Sequence, residues 1–158
     1  MEHAALLDEV GRESRRHYAA YVLFNQALAE RLGLHATDLQ CLSLMALESD
    51  PPTVGEIAAL TGLSQSAATR LVDRLERAGI ARRVSVSGDR RRTHIELTDP
   101  GREAVERAWE EPGAAFSALL ESFDSAQLQT ILDYLRRAGT IGQQQADRLR
   151  SSSLRGDH

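Results

Sequence analysis

From Ala4 to Leu32 the apolar residues Leu7, Val10, Tyr18, Tyr21, Leu28 and Leu32 recur at steps of three to four, which predicts a long amphipathic helix ending at Gly33. Thr37-Asp-Leu-Gln40 reads as a capping box before a second, nearly all-apolar helix, Leu39 to Leu47, terminated by Asp50-Pro51-Pro52. That helix is expected to be buried. A further capping box, Thr53-Val-Gly-Glu56, starts a short helix that stops at Thr61-Gly62. Ser64 then caps a fourth helix running to Gly79, where glycine supplies the left-handed exit.

After Gly79 the period changes from helical to alternating. Ile80 to Val86 and Thr93 to Leu97 read as two strands, joined by Ser87-Gly88-Asp89 and the arginines Arg90, Arg91 and Arg92. Thr98 and Pro100 open a fifth helix to about Leu120, with Pro112-Gly113 inside it, and Asp124 opens the last one. Leu128, Ile131, Leu132 and Leu135 form one stripe there, while Gly139, Gly142 and Gln143 to Gln145 weaken its far end. The expected architecture is mainly α with a small β-wing: one domain over 1–150, its winged part at 37–98, helical dimerisation parts at 1–36 and 99–150, and a flexible tail at 151–158.

Composition narrows the class. The chain of 158 residues, 42% hydrophobic and 27% charged, is long enough for a core of its own. It holds no apolar run of membrane-spanning length and no secretory leader pattern, so the cytosol is its expected compartment. One cysteine, Cys41, cannot pair internally, and no His/Cys spacing suggests a zinc site, so neither metal nor cofactor is expected. The net charge of −4 conceals an asymmetry, since residues 70–92 carry eight arginines against three acids, a local +5, and the remainder carries −9. Such a patch on an acidic body suits phosphate binding through local counterion release.

The two short helices meeting at Thr61-Gly62-Leu63 fit a helix-turn-helix, with Ile57, Ala58, Ala68 and Leu71 small or apolar where they cross. Projected at about 100° per residue, the second helix buries Ala68, Leu71, Val72 and Leu75. Opposite lie Ser66, Thr69, Arg70, Asp73 and Arg77, with Gln65 at the N-terminal tip and Arg74 at the edge. Arginine bonds guanine bidentately and glutamine bonds adenine, so this face suits base reading in duplex DNA.

Residues Leu63 to Gly101 resemble the MarR (multiple-antibiotic-resistance regulator) family of winged helix transcription factors. The motifs that carry the resemblance are Arg70-Leu-Val-Asp-Arg-Leu-Glu76 with Gly79, the wing Asp89-Arg90-Arg91, and Leu97-Thr98 followed by Gly101. The resemblance implies that Thr69, Arg70 and Arg74 read or clamp the major groove, that Arg91 enters the minor groove, and that Asp89 holds it there. It also implies a homodimeric repressor on a palindromic operator, with a phenolic or other aromatic effector near the first and fifth helices. Tyr18, Tyr21 and Trp109 are the candidate ligand residues, although aromatics at helical spacing also serve as core. Pro112-Gly113 departs from the family pattern.

Two other classes were open. An enzyme lacks a nucleophile elbow, phosphate loop or HExxH, and its five histidines are scattered. A winged helix that only docks proteins is the stronger rival, and Cys41 raises a redox-sensing variant of the regulator.

Overall fold

The computed structural model describes residues 2–86 and 89–153. Their elements run α1 (His3–Arg31), α2 (Ala36–Met45), α3 (Val54–Thr61), α4 (Gln65–Arg77), β1 (Ala81–Val86), β2 (Asp89–Leu97), α5 (Asp99–Glu121) and α6 (Ser125–Ser153). The chain divides into two compact units, Met1–Glu110 and Glu111–His158, and the division falls within α5 just before Pro112.

In the first unit, local signals set most of the boundaries. Thr53 and Glu56 form a reciprocal box: the Thr53 N–H donates to Glu56 Oε2 at 2.7 Å and the Glu56 N–H donates to Thr53 Oγ1 at 3.3 Å. Gly62, at φ +69°, closes α3 in the left-handed region, and Ser64 Oγ accepts the Ala67 N–H at 3.2 Å to start α4. The start of α2 differs from expectation. Its N-cap is the extended His35, not Thr37, and Asp38 in the first turn accepts the His35 N–H at 3.4 Å. The helix also stops at Met45, leaving Leu47 exposed beyond it.

One core gathers Leu42, Met45 and Cys41 of α2, Ile57 of α3, Leu71, Val72 and Leu75 of α4, and Ile95 of β2. Burial of these side chains is the main force holding the helices together, at about 25 cal/mol per Å² of apolar surface. A second cluster joins Leu28 and Ala29 of α1, Leu39 of α2 and Ala108 of α5, with Phe24 and Trp109 half-buried beside it.

The two strands are antiparallel, pairing Ala81 with Leu97 through Ser85 with Thr93, after which the register shifts and Val86 meets Asp89. The sheet is pinned to the α2–α3 loop, where the Ile95 N–H donates to the Pro52 carbonyl at 2.8 Å and Thr53 bridges His94. At the other end Thr98 ties the sheet to α5. Its N–H donates to the Ile80 carbonyl (2.9 Å), its hydroxyl donates to the Gly79 carbonyl (2.6 Å), and the same oxygen accepts the Gly101 N–H (3.0 Å).

In the second unit Asp124 and Gln127 cap α6 reciprocally, each side-chain oxygen accepting the other's backbone N–H at 2.9 Å. The helix continues through Gly139, Gly142 and the glutamines to Ser153, further than the sequence suggested; residues 154–158 lie outside the described set. No described residue of this unit is buried, and Phe116, Leu119, Leu128, Leu132, Leu135 and Ile141 are among its exposed apolar side chains.

The packing assigns Gly101 a steric role. A Cβ there would sit 2.2 Å from the Ile80 carbonyl oxygen and 2.6 Å from Ile80 Cα, and backbone cannot move aside as a side-chain tip would. Gly101→Ala is expected to destabilise the fold by about 1–3 kcal/mol, the usual penalty of overpacking. Denaturant unfolding checks this, and an unchanged midpoint would show that α5 is not seated so closely on Ile80.

Candidate DNA-reading site

The face predicted from helical projection is the face that α4 presents. Ala68, Leu71, Val72 and Leu75 are buried, while Gln65, Ser66, Arg70 and Arg77 are exposed and Thr69 is half-buried. The Thr69 hydroxyl donates to the Gln65 carbonyl at 2.9 Å, and Ser66 Oγ lies 3.2 Å from Ser64 Oγ at the helix start. The Thr69 hydroxyl is thus committed to its own helix, while the Ser64 and Ser66 hydroxyls lie together at the helix start, where backbone N–H groups and hydroxyls suit phosphate.

The charges of this region are not equivalent. Arg83 of β1 reaches back to α4, donating to Asp73 at 2.7 Å and to Glu76, while its own backbone N–H donates to Glu76 Oε1 at 2.9 Å. Arg82 pairs with Glu96 across the strands at 3.3 Å. The Arg77 Nε donates to the Asp73 carbonyl of its own helix at 3.2 Å. Arg74 is held by Asp38 of α2, through Nε to Oδ2 at 3.0 Å and Nη2 to Oδ1 at 2.5 Å, and these bonds push its guanidinium above its ordinary pKa although burial opposes the charge. Among the described residues Arg70 makes no hydrogen bond or ion pair, and its side chain is exposed.

Sequence reasoning placed Arg74 at the edge of the reading face and took Asp38 for part of a capping segment. The structure joins them. A signal was present: Asp38, Leu42 and Met45 share one face of α2, and an acid on a buried helical face requires a cation from elsewhere in the fold. The side chains of Asp89, Arg90 and Arg91 lie outside the described residues, although their backbone belongs to β2 at the register shift.

The candidate ligand residues sit apart from this face. Tyr18 is 71% exposed on α1 and Tyr21 is exposed beside Phe24, with ring centroids 6.2 Å apart. Trp109 of α5 meets Phe24 edge-on at 5.5 Å, within the second cluster.

A helix-turn-helix followed by a two-stranded wing, with an exposed arginine on the second helix, defines a winged helix DNA-binding regulator. A sequence profile described as MarR family matches residues 32–92. The chain is 33% identical over 129 residues to the uncharacterized HTH-type transcriptional regulator YcgE of Bacillus subtilis (strain 168), covering 82% of this chain and 83% of that one. Its fold is similar to a MarR family protein from Bacillus stearothermophilus, with a TM-score of 0.67 and 24% identity over 90% of this chain and 99% of that one. It is also similar to a MarR family transcriptional regulator from Silicibacter pomeroyi DSS, with a TM-score of 0.66 and 26% identity over 92% and 95%. The chain belongs to the MarR family, whose members are DNA-binding transcriptional regulators and not enzymes.

Cys41 lies in the core under α4, 1% exposed. Burial, followed by the negative charge of Asp38, pushes its thiol from 9.0 up to about 12. Because the folded value exceeds the unfolded one, stability from the protonated thiol is complete below pH 9 and declines as pH rises toward 12. At pH 8 the native thiolate fraction is on the order of 1,000-fold below that of an ordinary thiol, so native alkylation is expected to be much slower than unfolded-state alkylation. Rapid modification of the native protein by iodoacetamide at pH 8 would contradict this burial.

Proposed function

We propose that this regulator is a cytoplasmic homodimeric repressor that grips a palindromic operator with two copies of α4 and releases it when a small aromatic ligand binds. The observation that carries DNA reading is Arg70: it stands exposed on α4 among scaffold arginines that already hold protein partners. A side chain without an internal partner gives up little when it bonds a guanine edge. Gln65, Ser66 and Thr69 flank it on the same surface, and Arg91 on the wing, oriented by Asp89, serves the minor groove.

Uncovered apolar surface supports pairing. Leu6, Leu7 and Val10 are exposed on α1, and Leu128, Leu132 and Leu135 on α6 belong to a unit with no buried residue among those described. An amphipathic helix of this length gains stability by covering its stripe, and a second copy supplies that cover. A two-fold pair would set its recognition helices about 34 Å apart, one turn of DNA. For the effector, the support is the aromatic series His17, Tyr21, Phe24 and Trp109, where a planar ring would stack beside Tyr18 and Tyr21. A tenfold loss of operator affinity on ligand binding corresponds to a coupling of about 1.4 kcal/mol. The buried thiol of Cys41 disfavours the redox-sensing variant.

An operator selected from random DNA by the full-length protein tests the reading. Arg70→Ala is expected to lose about 1–3 kcal/mol of specific binding and relax one base position per half-site. Arg91→Ala is expected to weaken sites with A·T-rich flanks most. Unchanged base preference in Arg70→Ala removes α4 as the reader, and an absence of salt-dependent DNA affinity favours protein docking instead. A monomer in sedimentation at micromolar concentration that still holds one half-site tightly rules out the pairing. For the effector, titrating aromatic acids should change Trp109 fluorescence and operator affinity together; a compound that saturates the first without altering the second is not an effector.

A further inference from the structure

A buried charge lies behind the outward face of α4. Asp38 is fully buried in α2, and its carboxylate receives two directed bonds from Arg74, 36 positions along the chain. We propose that Asp38 is a positioning residue for DNA reading, and that Arg74 sets the rotation and register of the recognition helix through it instead of contacting DNA. The inference rests on the reading that α4 is the DNA-reading helix.

Three observations carry it. First, the guanidinium is committed: Nε and Nη2 both face the carboxylate, and the Arg74 side chain keeps 30% of its exposure against 1% for Asp38. Second, the exchange that a phosphate contact would require is unfavourable. Leaving Asp38 strands a buried carboxylate, whereas an exposed phosphate contact forms in high dielectric and returns less. Third, the apolar contacts of Ala68, Leu71, Val72 and Leu75 hold α4 to the core but hydrophobic attraction itself has no direction. A bidentate arginine–carboxylate pair does have direction. Arg83 holds the same helix from β1 through Asp73 and Glu76, so α4 is fixed on two sides, toward α2 and toward the wing.

The consequence is specific to discrimination. Base contacts by Arg70 and Gln65 require close placement, because a bidentate hydrogen bond weakens with small displacement and tilt. Phosphate neutralisation tolerates the same displacement. Loosening the Asp38–Arg74 pair therefore lowers operator affinity while leaving affinity for random DNA, and its salt dependence, nearly intact.

The experiment compares Asp38→Asn, Arg74→Lys and the double variant Asp38→Asn/Arg74→Met in the full-length protein. Each is measured on the operator selected by the wild type and on random duplex DNA across a salt series, with thermal unfolding alongside. Asp38→Asn and Arg74→Lys are each expected to reduce the operator-to-random ratio about tenfold with an unchanged salt slope, and the double variant to lose no more than Asp38→Asn alone. Arg74→Lys keeps the positive charge and lacks the fork, so it remains informative if Asp38→Asn does not fold. Wild-type discrimination in Arg74→Lys overturns the proposal by showing that the directed fork is not needed, as does a salt slope shallower by about one per recognition helix in the double variant, which places Arg74 on a phosphate. Arg70→Ala distinguishes the two levels of failure. If it leaves base preference intact, α4 is not the reader; if it alters preference while Asp38→Asn does not, α4 reads DNA without help from Asp38.

Discussion

A carboxylate sealed beneath a helix constrains everything around it. Asp38 enters the core at the first turn of α2, and a charge in that place is stable only with a partner of opposite sign in good geometry. Arg74 is that partner, and the pair ties α4 to the first turn of α2 while the apolar stripe of α4 faces the core. The same carboxylate holds the His35 N–H at the start of α2 and adds to the burial that raises the Cys41 thiol. Across the helix Asp73 and Glu76 repeat the device in reverse, as acids of α4 gripping an arginine of the strand.

This arrangement changes the meaning of the arginine-rich stretch. By sequence, residues 70–92 carry a large positive excess, which reads as a uniform phosphate-binding patch. In the fold several of those charges are scaffold: Arg74, Arg82 and Arg83 stand against carboxylates, and Arg77 leans on its own backbone. Arg70 and Arg74 occupy nearly the same face and share chemistry, yet one points outward without a partner among the described residues and the other is fixed in place. Residue type and helical phase do not separate them. A contact 36 positions away does.

What the sequence disclosed was local. The Thr53–Glu56 box, the Ser64 cap, the left-handed Gly62 and Gly79, and the buried stripe of α4 all depend on residues within a few positions of one another, and each appears where periodicity and turn chemistry put it. Asp38 was legible only as an inner residue of the Thr37–Gln40 capping segment, since its partner Arg74 lies far along the chain. Gly101 was legible only as part of a motif, because its reason lies in the Ile80 backbone that α5 crosses. The glycines and glutamines of α6 weaken its far end by propensity, yet the helix continues past residue 150, where a tail was expected, to Ser153.

The most direct measurement is a structure of the protein bound to its selected operator. The account predicts α4 in the major groove with the Arg70 guanidinium at base edges and Arg74 still bonded through both nitrogens to Asp38. Arg74 on a phosphate above an unpaired Asp38, or α4 lying outside the groove, would contradict it.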